Sequence, residues 1–168
     1  METAALLLHR EQKDHFFAES PQSPFAHSSR PFTPLTYYEP NPDLVFTVTL
    51  ESADGADVPV GTTDGTERIY RRVATFTLPI EGEETTLALY DTGHGGLFLP
   101  FRDGTSGKET YGAGRYLDLD PNQDGTVTID FNLAYNPFCA YDDAYSCALP
   151  PHENWLSVPI RAGETYAG

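Results

Sequence analysis

The chain has 168 residues and a formal net charge of -15, from 25 acidic and 10 basic side chains. That length suffices for one hydrophobic core and is short for two; a field so negative repels nucleic acid and anionic membrane surfaces, which excludes both as partners. Only two of the basic residues, Lys13 and Lys108, are lysines, and a surface of many carboxylates with few flexible lysines is expected of a halophilic protein, whose self-repulsion is screened by concentrated salt.

The apolar run from Ala4 to Leu8 is preceded by Glu2 and followed by Arg10, Glu11 and Lys13, the wrong order for a secretory leader. No run approaches the length of a membrane span. The expectation is a soluble, cytoplasmic, acidic protein in which Cys139 and Cys147 remain thiols, although the seven residues between them would allow a local disulfide in an oxidising setting.

A single domain over 1–168 is predicted: a helix over 1–18, a proline-rich strap over 19–43 and a β core over 44–168. From Thr3 to Phe17 the residues favour helix, with Thr3 as the expected N-cap and Pro21 and Pro24 as terminators. The next stretch, PQSPFAHSSRPFTPLTYYEPNPD, contains six prolines and predicts an extended segment. Phe25, Phe32, Leu35, Tyr37 and Tyr38 give it apolar area to dock.

From Leu44 onward the period becomes two. Phe46, Val48 and Leu50 fall on one face, with Val45, Thr47 and Thr49 on the other. Strands are predicted at 58–63 and 66–78, joined by Asp64-Gly65 as a type I′ turn, and at 85–90, 97–101, 115–119, 126–131 and 155–160. About eight strands with short connections predict an all-β fold, an antiparallel barrel or sandwich with an N-terminal helix and long irregular loops. Arg115 shares its side with Leu117 and Leu119, so it points inward. It then needs an anion, either an internal partner such as Glu109 or Glu153 or a ligand.

Three motifs fall short of established sites. GTSGKET, from Gly104 to Thr110, has the wrong spacing for a P-loop and Glu109 where a hydroxyl is needed, though its glycines expose N–H groups beside Lys108. DPNQDG, from Asp120, matches the first half of a calcium loop, but Phe131 stands where a bidentate Glu belongs, so a turn is expected instead. Cys139, Cys147 and His152 are only three soft ligands, without the paired spacing of structural zinc. No metal or cofactor is expected. The long connection from Phe131 to Asn154 has aromatic and amide side chains suited to a pocket wall.

The strings LFLPFRDGTSGKETYGAGRYLDL (97–119) and DFNLAYNPFCAYDDAYSCALPPHENWL (130–156) resemble the signature blocks of the bacterial and archaeal family called domain of unknown function 1684. Arg10, Lys13, Asp14 and Phe17 resemble its opening helix motif, so both lysines fall on motif positions. The resemblance implies no activity. Its motif points to Arg102, Lys108, Tyr111, Arg115, Tyr116, Asn132, Tyr135, Asn136, Cys139, Tyr141, Cys147, Glu153 and Asn154.

The expected function is binding of a small carboxylate- or phosphate-bearing molecule at one end of a barrel. Arg102, Lys108, Tyr111 and Arg115 would line one side, with Tyr135, Asn136, Cys139, Glu153 and Asn154 opposite, because convergent basic groups in an acidic protein otherwise lack a purpose. The alternatives are a hydrolase-type enzyme using Glu153 or Cys139 beside the basic cluster, and a structural module in which the aromatic loop and strap form a subunit interface.

Overall fold

The computed structural model describes residues 2–167. Helix α1 spans Thr3–Glu19 and ends at Ser20, whose N–H bonds to the Phe16 carbonyl, just before Pro21. Thr3 is already helical and Glu2 occupies the cap position without a side-chain bond, so the expected Thr3 cap is absent. Leu6, Arg10 and Phe17 form the buried face.

The strap is ordered by hydrogen bonds rather than by regular structure. Leu35 N–H donates to the Asp14 carboxylate (2.9 Å), Arg30 donates to the Ala140 carbonyl (2.9 Å), and Tyr38 N–H donates to the Gly163 carbonyl (2.9 Å). Phe25, Phe32 and Leu35 pack with Phe17, Tyr111, Phe138, Tyr141 and Tyr166 in an aromatic cluster. Phe25, Phe32 and Leu35 are half-buried, so each contributes less than the roughly 1.5–3 kcal/mol of full burial, and together with the hydrogen bonds they hold this proline-rich segment in place.

Eight strands follow: β1 Val45–Val48, β2 Glu51–Ser52, β3 Asp57–Gly61, β4 Glu67–Ile80, β5 Glu83–Asp91, β6 Leu97–Phe101, β7 Arg115–Leu119 and β8 Val127–Asp130. All their pairings are antiparallel. One sheet runs β2-β4-β5-β6-β7, with β3 also paired to β4, and the other is the ribbon β1-β8. The sheets do not close on one another, so the architecture is sandwich-like all-β with one N-terminal helix, and the barrel alternative falls.

A bulge between Arg72 and Ala74 in the β4–β5 ladder explains how one long strand serves two cores. Each side of the bulge keeps the period of two, but the extra residue exchanges the faces. Tyr70, before it, packs with Ala88, Tyr90 and Tyr116. Ala74, Phe76, Leu78 and Ile80, after it, pack with Leu87, Leu89, Leu99, Leu117 and Ile129 in the main core.

Two further sequence expectations change. The type I′ turn does not form at Asp64-Gly65, because only Gly65 has positive φ (87°); the loop closes instead through Gly65 N–H to the Thr62 carbonyl and Asp64 bonds to Thr62 and Thr66. The two-residue connection with positive φ at both positions is Glu81-Gly82 (52° and 77°), between β4 and β5. Residues 155–160 form no strand. Gly104 N–H donates to the Val158 carbonyl and Ile160 N–H to the Asp103 carboxylate, and Pro159 has no N–H for a ladder. A Cβ on Gly104 would lie 2.9 Å from the Ser157 carbonyl oxygen, so this close approach requires glycine.

Candidate functional site

The C-terminal tail places the site's one buried glutamate. Gly163 has φ 82°, and a Cβ there would meet the Ala134 carbonyl oxygen at 2.7 Å, so only glycine admits the tail this close. Glu164 N–H then donates to that carbonyl (2.9 Å), and Thr165 N–H donates to the Thr36 carbonyl (2.9 Å). The Glu164 side chain is 2% exposed. Its Oε1 accepts from Asn136 N–H (2.9 Å) and the Tyr141 hydroxyl (3.3 Å), and its Oε2 accepts from Lys13 Nζ. Lys13 also lies 5.0 Å from the Tyr135 ring centroid.

One helical turn before Lys13, Arg10 is 8% exposed, an unusual burial for a guanidinium. Its Nη1 donates to the Tyr38 carbonyl (3.0 Å), and the group lies over the Tyr37 ring, 4.3 Å from the centroid. Arg10 Nε and Nη2, and the buried Tyr37 hydroxyl, have no protein partner. Burial lowers the Arg10 pKa against the opposing pull of Tyr37, Glu164, Glu39 and Asp130, yet an arginine keeps its charge. Burial, reinforced by the negative charge of Glu164 and Asp14, raises the Tyr37 pKa. The phenol therefore remains a neutral donor.

Arg10, Lys13, Tyr37 and Glu164 are among the residues lining a groove of about 410 Å³ between α1 and the segment 132–138, walled by Phe16, Phe17, Leu133, Ala134, Tyr135 and Phe138, while the unpartnered Arg10 nitrogens and Tyr37 hydroxyl are themselves shielded from solvent. Among its lining residues Arg10 and Lys13 are cationic and Glu164 anionic, leaving one net positive charge. Donors without acceptors, in apolar walls, suit a molecule that brings its own oxygen atoms.

Of the residues singled out from sequence, Asn132 and Tyr135 line this groove, and Asn136 borders it through Glu164. The others disperse. Arg115, 1% exposed, donates to the carbonyls of Ala162 (2.5 Å), Glu164 (3.2 Å) and Ile160 (2.8 Å) and pairs with Asp103 at 3.6 Å. Its anion is thus internal, and is neither Glu109 nor Glu153. Arg102 stacks on Trp155 at 4.6 Å, and Lys108 is exposed on the turn built on the Thr105 carbonyl.

Glu153 is held by Arg72 and by the Tyr90 hydroxyl. Asn154 is fully buried; its amide exchanges bonds with the backbone of Ala88 and donates to the Pro100 carbonyl, tying β5 to β6. Tyr111 contacts Cys139, away from the groove lining. The basic residues at 102, 108 and 115 therefore do not converge. Arg10 and Lys13 had a sequence signal, their place in the helix motif; Tyr37 was noted only as a docking aromatic, and Glu164 had no signal at all.

His152 packs on Trp155, with ring centroids 4.0 Å apart, and no group of three or more His, Cys, Asp or Glu side chains able to hold a metal occurs among the described residues. No helix among them is long and apolar enough to cross a membrane.

Comparison with known proteins places the chain. The family model described as "Protein of unknown function (DUF1684)" matches residues 30–165. The chain belongs to this family. The match begins after α1, so Arg10 and Lys13 lie outside it while Tyr37, Tyr135 and Glu164 lie within. An uncharacterized protein of Haloarcula marismortui, solved in solution by NMR, is similar over 96% of this chain and 92% of its own, with 39% identity and a TM-score of 0.71. No curated protein matches. The DUF1684 assignment accounts for the shared sequence blocks and brings no activity with it.

Proposed function

We propose that this DUF1684 chain binds a small carboxylate with an apolar body in the groove between α1 and residues 132–138. The carrying observation is the Arg10 guanidinium, nine-tenths buried beside that groove, with Nε and Nη2 lacking acceptors. An unsatisfied buried donor costs about 1–3 kcal/mol, and a planar carboxylate matches the guanidinium fork. The Tyr37 hydroxyl supplies a further donor. One net positive charge suits a monoanion better than phosphate, and the phenylalanine and leucine walls suit an aromatic or short aliphatic body.

The test is a thermal-shift and amide chemical-shift titration of the full chain with benzoate, hexanoate and inorganic phosphate. At ten times Kd a carboxylate adds about 1.4 kcal/mol, or about 3–6 °C in Tm, with shifts centred on residues 10, 37 and 134. Arg10→Gln abolishes the effect and phosphate produces none. No response to either carboxylate, or an equal response in Arg10→Gln, would overturn the proposal.

A further inference from the structure

The chain between residues 138 and 147 folds back to bring two thiols together outside the groove. A single 3-10 turn, Phe138–Ala140, starts the reversal after Pro137, and Tyr145 N–H to the Asp142 carbonyl (3.2 Å) continues it. The Cys139 N–H consequently donates to the Cys147 sulfur at 3.3 Å. Cys147 is pinned from its other side to the β3–β4 loop. Its N–H donates to Thr63 Oγ1 (3.1 Å), and its carbonyl accepts from Thr63 N–H (3.0 Å). The Tyr111 hydroxyl lies 3.6 Å from the Cys139 sulfur. Both cysteines are free and buried.

Two neighbouring thiols held without a bond between them, with a phenol aimed at one, are more than packing requires. We infer that Cys139 and Cys147 form a peroxide-reactive dithiol, in which Cys139 attacks, Cys147 resolves and the Tyr111 hydroxyl supports negative charge on the attacking sulfur. The electrostatics agree. Donation from the Cys147 thiol, then from Tyr111 and Thr63, holds the Cys139 thiol below the ordinary range against the opposing effect of burial, while the same contact pushes Cys147 up. The pair therefore gives up its first proton readily and its second reluctantly.

The chemistry balances with a hydroperoxide as oxidant. The Cys139 thiolate attacks one peroxide oxygen; an S–O bond forms, the O–O bond breaks, and the departing hydroxide takes a proton to leave as water. Cys147 then attacks the Cys139 sulfenic acid; the S–S bond forms, the S–O bond breaks, and a second water leaves with the Cys147 proton. Two thiols are oxidised to one disulfide, and one hydrogen peroxide is reduced to two waters. Burial of both sulfurs restricts the reaction to small oxidants and excludes a bulky disulfide such as oxidised glutathione.

The test treats the reduced full-length protein at pH 7 with substoichiometric hydrogen peroxide, followed by intact mass, peptide mapping and thiol counting in native and denatured samples. Wild type is expected to lose both thiols together, with the mass of two hydrogens, while oxidised glutathione leaves them intact. Cys147→Ser stops at a Cys139 sulfenic acid trapped by dimedone, and Cys139→Ser consumes no peroxide above background. Tyr111→Phe still forms the disulfide, with its rate–pH profile displaced upward by about one unit. Dimedone present during oxidation of the wild type captures the first sulfenic acid before it is resolved, and peptide mapping of that adduct to Cys139 needs no variant to fold. Thiols that react only after unfolding, equal reaction with oxidised glutathione, or first oxidation at Cys147 would each overturn the inference.

Discussion

Arg115→Met is expected to destabilise the fold by about 3–5 kcal/mol, the range for breaking a buried ion pair. Three main-chain carbonyls, of Ile160, Ala162 and Glu164, lose their guanidinium donors, at about 1 kcal/mol each. Asp103 loses its cation, 3.6 Å away. It keeps bonds from the hydroxyls of Thr105 and Ser106 and from Ile160 N–H, so the charge is not stranded and the total should not exceed this range. Urea unfolding monitored by near-ultraviolet circular dichroism reads the change, with a Tm lower by roughly 10 °C as a second measure. Asp103→Asn combined with Arg115→Met removes both charges and is expected to lose about 1–3 kcal/mol less than the sum of the single changes. A loss below about 1 kcal/mol, or lost anion binding at unchanged stability, would refute the structural assignment and return Arg115 to a ligand role.

Two further outcomes rest on different physics. Glu81 has φ 52° and is the only non-glycine residue with positive φ among those described; because a left-handed glutamate costs about 1–2 kcal/mol, Glu81→Asn is expected to raise stability by about 0.5–1 kcal/mol in thermal unfolding, and a neutral or negative change would count against strain at that turn. Burial, first among the causes, raises the pKa values of Tyr37, Tyr90, Tyr111, Tyr116, Tyr135 and Tyr141, and pushes Tyr38 up to about 12. Above the ordinary phenol value of 10.0 unfolded tyrosines release protons that folded ones keep, so stability is fully present below that pH and is lost as pH rises toward the folded values. Near-ultraviolet absorbance should show the phenols of these seven tyrosines ionising only together with unfolding; their ionisation in a single early phase, with circular dichroism unchanged, would contradict it.

Alternation at Phe46, Val48 and Leu50, short apolar runs at Thr85–Tyr90, Leu97–Phe101 and Arg115–Leu119 bounded by Gly and Pro, and the helix-favouring first turns made the all-β class and its N-terminal helix readable, because strands this short leave no room for crossover helices. Parity with Leu117 and Leu119 also showed that Arg115 points inward. The choice between barrel and sandwich was not readable, since alternation is the same in both and closure depends on which edges meet. Nor could a dipeptide rule tell Asp64-Gly65 from Glu81-Gly82, since register across β4 and β5 decides where the tight turn falls.

The groove belongs wholly to tertiary structure. Lys13 and Glu164 are 151 positions apart, and no local pattern predicts that a glycine in the tail lets Glu164 reach helix α1. Arg102, Lys108 and Arg115, close together in the chain, diverge because one lies beside Trp155, one on an exposed turn and one in the core. Composition and period therefore determined what kind of layers this chain builds and which side chains they bury. Close packing between distant segments decided which polar groups meet, because hydrogen bonds and ion pairs act over a few ångströms of space and are indifferent to separation along the chain.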